Sequence, residues 1–385
     1  MSRILTCVII GLLFGSVSSL EAAETFKTTV WKSGEGDYHT YRIPSVIRTM
    51  NGTLLAFCEG RKSGRGDAGN IDLLLKRSSD GGRTWSDDIV LWDDGGNTCG
   101  NPCPVVDETT GTIWLLLTHN LGHDHESDII KKKAESTRTV WVSHSSDDGS
   151  TWATPSEITK STKEPGWGWY ATGPGVGIQI KHGPHKGRLV IPCDHSYDDP
   201  NGKLQGGGFE FGAHSIHSDD HGKTWQLGGT IRPKANECQV VERDDAAGGL
   251  LMNMRSYFGR QRRTHSVSSD GGTTWSSPVD APQLVEPVCQ GSILRLTWEK
   301  DGSPGVLLFS NPASEKSRVN MTVRASFDDG SSWPVARVLN TGPAAYSCLV
   351  GLPDNAFGCL YETGEKNAYE SIVFHRMPGS SLQLP

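Results

Sequence analysis

The sequence predicts an all-β chain folded as a six-bladed β-propeller of four-stranded antiparallel blades, and three observations carry that expectation. An eight-residue pattern, S-x-D-x-G-x-[T/S]-W, occurs five times, at residues 78–85, 145–152, 218–225, 268–275 and 326–333. Each copy has the parts of a tight hairpin: an Asp to accept backbone N–H bonds, a Gly free to take positive φ, and a Trp to pack back over the turn. The aspartates fall at 80, 147, 220, 270 and 328, and the intervals of 67, 73, 50 and 58 residues suit four-stranded blades joined by variable loops. Composition agrees, since 46 glycines and 12 tryptophans accompany little helical periodicity. Five marked blades plus one unmarked blade make six, and the unmarked one is expected to be closed by the chain ends, residues 28–31 pairing beside 371–374. That closure removes the exposed edges an open sheet would carry.

In chain order, residues 1–23 read as an export signal: Arg3 supplies a short positive region, residues 8–14 an apolar core, and Ser16 to Ala23 the small residues before cleavage. The apolar run is shorter than the roughly 20 residues a membrane span needs, and Cys7 precedes it, which argues against lipid attachment. The expected location is therefore secreted or periplasmic, with no transmembrane segment. Residues 24–385 read as a single propeller domain. Runs at 53–57, 71–76, 112–117, 139–142, 188–192, 249–254 and 306–309 have β character and are bounded by Gly, Asp or Asn. Net charge is −7 without a basic stripe, so no nucleic-acid partner is expected. Lys131, Lys132 and Lys133 read as a solvated loop, and the chain is expected to be a monomer.

Eight of the nine cysteines follow the leader. Cys99 and Cys103 are close enough for a disulfide, while Cys58, Cys193, Cys238, Cys289, Cys348 and Cys359 read as small buried hydrophobes. His123, Asp124 and His125 form the one metal-like cluster, and it is equally ordinary loop composition. No metal and no cofactor are expected.

In a propeller, catalytic groups converge on one mouth of the central channel from all parts of the chain. Four places stand out of step with the hairpins: Tyr41-Arg42-Ile43-Pro44, the glycine-rich 65–69 around Asp67, Asn236-Glu237-Cys238-Gln239-Val240, and Ala345-Tyr346-Ser347. Through F/Y-R-I-P, the repeated hairpins, N-E-C-Q-V and a late Tyr in this order, the chain resembles the sialidase (neuraminidase) family of glycoside hydrolases from about Tyr38 to Arg376.

The resemblance implies a catalytic propeller in which Arg42, Arg255 and Arg318 hold the substrate carboxylate. Planar guanidinium forks suit the carboxylate that a sialic acid bears on its anomeric carbon. Arg260, Arg262, Arg263 and Arg324 are the competing assignments. The resemblance further implies Tyr346 as nucleophile, Glu237 as its base and Asp67 as the acid, with Asp72 as the alternative to Asp67. A neutral phenol avoids the repulsion a carboxylate nucleophile would meet from the substrate. Glu362 resembles the family's late Glu that orients the first arginine, and Arg61 an additional arginine near the far side of the ring. Residues 167–175, with Trp167, Trp169 and Tyr170, read either as aromatic surface for the sugar or as a packed inter-blade loop.

The implied function is hydrolysis of terminal α-linked sialic acid from a glycan, glycoprotein or glycolipid, with retention. Two alternatives stay open: a hydrolase of a related 2-keto sugar acid such as Kdn or Kdo, and a non-catalytic sialoglycan-binding propeller.

Overall fold

The computed structural model describes residues 24–198, 208–300 and 304–382. The expected export signal, residues 1–23, lies outside the described residues. Among those described, the strands form six antiparallel groups, five of four strands and one of five in which two short strands share the innermost position, and we read these groups as blades. The first contains Thr40–Arg48, Leu54–Arg61, Ile71–Ser78 and Ile89–Trp92, and the second Thr98–Val106, Ile113–Asn120, Thr139–Ser145 and Ser156–Glu157. The third starts with the short Tyr170–Thr172 and Ile178–Gln179 and continues through Leu189–Asp198, Phe209–Ser218 and Gln226–Ile231; the fourth comprises Ala235–Glu242, Leu250–Ser256, Arg262–Ser268 and Val279–Val285. One long strand, Val335–Gly351, serves two quartets. Its first part pairs with Val319–Ser326 to finish the fifth (with Ser292–Thr297 and Val306–Pro312), and its second part pairs with Phe357–Thr363 to begin the sixth.

The sixth quartet is completed by the chain ends. Phe26–Lys32 pairs with Ser371–Met377, Thr28 opposite Phe374 and Thr29 opposite Val373, as the sequence suggests. Trp31 locks this closure, since it is buried and its indole N–H donates to Asp88 of the first blade at 2.6 Å.

Burial follows strand position. Thr40–Arg48 is buried at every residue but its last, and Leu54–Arg61 at every residue. The innermost strands Thr40–Arg48, Thr98–Val106 and Ala235–Glu242 are buried almost throughout although several of their residues are polar. Outermost strands are more open: in Val279–Val285 only Ala281 and Leu284 are buried. Hydrophobic clusters fill the spaces between blades; Val30, Trp31, Val46, Leu54, Cys348, Leu360 and Phe374 seal the last blade to the first. Near the axis, Gln290 Nε2 donates to Pro174 O (3.0 Å) and Ser347 O (2.9 Å), and Ile293 N donates to Gln239 Oε1 (2.8 Å). Gly175 is obligatory there, because a Cβ would sit 1.7 Å from Gln239 Nε2 and its φ is +134°.

All five repeated hairpins share three bonds, in which the Gly N–H donates to the leading Ser Oγ and the backbone N–H and hydroxyl of the Thr or Ser before the Trp donate to the Asp carboxylate. The first two add bonds from the N–H of the residue after the Gly and from the Trp indole. In the first, Arg83 N and Thr84 N donate to Asp80 Oδ1 (both 3.0 Å), Thr84 Oγ1 donates to Asp80 Oδ2 (2.6 Å), and Ser78 Oγ accepts from Gly82 N (2.9 Å). Trp85 folds back so that Nε1 donates to Gly82 O at 3.1 Å. Ser332, where the other copies have Thr, donates to Asp328 Oδ2 at the same 2.6 Å.

The cysteine expectation needs one correction. Cys99 and Cys103 do not form a disulfide; all eight described cysteines are buried free thiols. Although both lie on Thr98–Val106, Cys99 packs into the cluster around Leu73 and Leu117, and Cys103 into the separate cluster around Leu116 and Ile191.

Candidate active site

Antiparallel blades sort their loops by face. The starts of first strands, the ends of second strands, the loops from second to third, and the starts of third strands all lie at one mouth of the channel. The repeated hairpins join third to fourth strands and so turn at the opposite face. Every expected site residue obeys the first rule. Arg42, Glu237 and Tyr346 lie near the starts of innermost segments. Arg61, Arg255 and Glu362 lie at or near the ends of second strands, Arg318 immediately before a third strand, and Asp67 in a second-to-third loop.

Three of these positions sit in irregularities of the ladder. Register shifts fall between Arg42 and Ser45, between Ala235 and Cys238, and between Ala344 and Ser347. A bulge leaves residues unpaired and re-aims their side chains. Ile43 takes φ +60° at the first of them, a costly conformation for a β-branched residue.

The side chains converge. The Tyr346 hydroxyl donates to Glu237 Oε1, and Arg255 Nη1 donates to Glu237 Oε2 at 2.7 Å while lying 3.4 Å from the same hydroxyl. The guanidinium carbons of Arg42 and Arg318 stand 5.0 and 5.5 Å from the Tyr346 ring centre. Glu362, fully buried, accepts from Arg42 Nε (2.7 Å), Ile43 N (3.0 Å) and Tyr346 N (3.0 Å), so one carboxylate fixes both the first arginine and the tyrosine's backbone. Arg61 donates to Glu59 Oε2 through Nε (3.0 Å) and Nη2 (2.5 Å), and its Nη1 lies 2.8 Å from Asp67 Oδ1, which is also 4.0 Å from Arg42 Nη1.

The electrostatics divide the acids. Burial pushes the Tyr346 phenol well up, and the Glu237 charge adds to that despite Arg255 and Arg318, so the resting phenol keeps its proton. Desolvation raises Asp67, but Arg61 and then Arg42 outweigh it and hold the carboxyl below its usual range.

The competing assignments lie elsewhere. Asp72 is buried and accepts from Tyr38 Oη at 2.7 Å and pairs with Lys62 Nζ at 3.2 Å. Arg260 pairs with Asp280, Arg262 with Glu315 and Arg263 with the buried Glu286, while Arg324 donates to Asn311 at 3.4 Å. Asp124 is occupied by Glu135 N, Ser136 N and Ser136 Oγ, each at 2.9 Å, which makes it a loop brace. Trp167 is packed against His195, ring centres 3.6 Å apart, whereas Trp169 lies under the Arg138 guanidinium at 4.0 Å.

Sequence reasoning missed Glu126, Arg138, Asp194 and Tyr369. Glu126 and Asp194 lie within the electrostatic reach of Glu237, and both are pushed up, by burial first and then by neighbouring carboxylates. Arg138 is buried and donates to Thr118 Oγ1 (3.0 Å), Asn120 Oδ1 (2.9 Å) and Asn101 Oδ1, with no carboxylate at ion-pair distance among the described residues. Tyr369 touches two of the three arginines. No motif marks them, but loop position marks three: Glu126 and Tyr369 lie in second-to-third loops and Arg138 directly before a third strand, whereas Asp194 lies within the strand Leu189–Asp198.

Fold and site define a class: a β-propeller whose channel mouth presents clustered guanidiniums beside an acid-paired tyrosine, an arrangement suited to a carboxylate-bearing ligand. The family model for the BNR repeat-like domain matches residues 52–359. A sialidase of Micromonospora viridifaciens is 35% identical over 88% of this chain and 52% of its own length; mouse Sialidase-3 is 30% identical over 91% and 94%. Among solved structures, a Hadza microbial sialidase superposes with a TM-score of 0.78 at 28% identity, covering 92% of this chain and 69% of its own. The chain belongs to the sialidase family. It spans about half the length of the Micromonospora relative and 61% of a Bacteroides fragilis sialidase.

Proposed function

We propose that this protein is an exo-α-sialidase that removes terminal α-linked sialic acid from glycans, glycoproteins or glycolipids with retention of configuration, and that residues 1–23 export it. The observation that carries the reading is the Tyr346 hydroxyl donating to Glu237 between the guanidiniums of Arg42, Arg255 and Arg318. Free tyrosine, with a pKa near ~10, is a poor nucleophile at neutral pH, and burial here makes deprotonation harder still. Glu237 therefore takes the proton as the phenol oxygen attacks the anomeric carbon. The bond to the leaving oxygen breaks, and that oxygen takes a proton from Asp67. In the second half Asp67 takes a proton from water, the water oxygen attacks the same carbon, and the tyrosine leaves with its proton returned by Glu237. Two inversions give retention.

Asp67 must be protonated to act first, yet Arg61 and Arg42 favour its charged form. The substrate eases this conflict: its carboxylate, held by Arg42, offsets the second of the two charges that depress Asp67. The acid is thus armed by substrate binding.

The direct test is release of a fluorogenic aglycone from an α-sialoside. We expect turnover by the wild type and a loss of about a thousandfold in kcat for Tyr346→Phe; full activity in that variant would sink the mechanism. A panel of acids differing at C5 distinguishes sialic acid from Kdn and Kdo.

A further inference from the structure

The three arginines of the site are oriented differently. Arg42 is held by Glu362 and Arg255 by Glu237, each through a contact of 2.7 Å. Among the described residues, no carboxylate lies within ion-pair distance of Arg318; its Nη1 donates to the Tyr369 hydroxyl at 2.8 Å. The same tyrosine turns its ring to Arg42, with the guanidinium carbon 4.3 Å from the ring centre. One phenol thus spaces two like charges, giving one a hydrogen-bond acceptor and the other a π-face.

The loop that carries Tyr369 is built for rigidity. Between Phe357–Thr363 and Ser371–Met377, the Glu370 carboxylate accepts from the backbone N–H groups of Glu365 (2.9 Å), Lys366 (3.0 Å) and Asn367 (3.1 Å). Tyr369 N donates to Asn367 Oδ1 at 3.0 Å, and its carbonyl accepts from Ser33 Oγ at 2.7 Å, which ties the loop to the N-terminal strand. Ala368 packs with Ile43, Ala345 and Tyr346. Little of this bracing is needed merely to turn between two strands.

We propose that Tyr369 is a positioning residue that aims Arg318 at the substrate carboxylate while leaving its charge uncompensated; the proposal rests on the sialidase reading above. The charge balance favours a neutral partner. Arg42 and Arg255 each meet a carboxylate, Glu362 and Glu237, whereas Arg318 meets none among the described residues, so of the three it is the one whose charge is left for an incoming carboxylate. A Glu or Asp in place of Tyr369 would cancel that charge, whereas a phenol orients without neutralising.

The test compares Tyr369→Phe with Tyr369→Ala. The hydroxyl acts on a contact made in ground state and transition state alike. Its removal should therefore raise KM for an α-sialoside about five- to tenfold and leave kcat within about twofold. Titration with the carboxylate ligand 2-deoxy-2,3-didehydro-N-acetylneuraminic acid should show the same weakening. Tyr369→Ala, which also removes the ring from Arg42, should lower kcat/KM by about a hundredfold or more. An unchanged KM and unchanged ligand affinity in Tyr369→Phe overturns the proposal, as does a fall in kcat alone. A separate arm does not depend on activity: the rate at which phenylglyoxal modifies Arg318, followed by peptide mass spectrometry, should rise in Tyr369→Phe, and an equal rate also overturns the proposal. A wild type that neither turns over sialosides nor binds the didehydro ligand would instead contradict the sialidase reading, and the labelling arm would still decide the role of Tyr369.

Discussion

Glu362 shows how much one residue can organise. Its carboxylate, without solvent contact, accepts from the Arg42 guanidinium and from the backbone N–H groups of Ile43 and Tyr346. These two N–H groups lie in ladder irregularities, so they have no regular strand partner to replace it. Glu362→Ala should cost about 3 kcal/mol or more, because it strands a buried charge and two buried donors; a denaturant midpoint near wild type would contradict this. Arg61 acts instead on Asp67, the proposed acid. With its charge removed in Arg61→Gln, the Asp67 carboxyl loses the strongest influence lowering it. A general acid works only while protonated, so a depressed value moves the alkaline limb of kcat/KM to lower pH. Arg61→Gln should move that limb upward, and a limb that stays in place or moves down would show that Asp67 is not the acid. In the wild type the limb of kcat, which reports the substrate-bound protein, should lie above that of kcat/KM.

The repeated hairpin is the unit at the next scale. In the second copy, the Thr151 hydroxyl and backbone N–H, together with the Ser145 hydroxyl, hold the Asp147 carboxyl down to about 2. In an unfolded chain the same group titrates near ~3.9. A group depressed by folding adds stability that is present above the unfolded value and lost as pH falls through the folded one. Asp147→Ala should therefore lower the urea midpoint at pH 7, and its midpoint should converge with wild type as pH approaches about 2. Turnover per folded molecule should not change, since this turn lies at the face opposite the site. These hairpins were legible in the sequence because every bond that defines them lies within eight residues. The arginines were legible only through family motifs, and Tyr369 not at all. Its meaning comes from Arg318, 51 residues away, and from Arg42 at the other end of the chain. The ladder irregularities at Arg42, Glu237 and Tyr346 were equally hidden, because neither periodicity nor propensity records where pairing slips by a residue.

At the scale of the molecule, closure depends on the first described strand. Phe26–Lys32 covers the edge of Ser371–Met377, and Trp31 reaches across to Asp88. Deleting residues 24–32 should leave that edge open, remove the seal between last and first blades, and convert a cooperative melt into early aggregation; a deletion variant with an unchanged, concentration-independent melt would show that the ring closes without it. The sorting of loops by face has a practical consequence as well. All native thiols among the described residues are buried, so a cysteine introduced at exposed Lys223, inside the third repeated hairpin, would be the single accessible one there. Tethering the protein to a bead through that position would present every molecule with its channel mouth outward, an oriented display whose support never blocks that mouth.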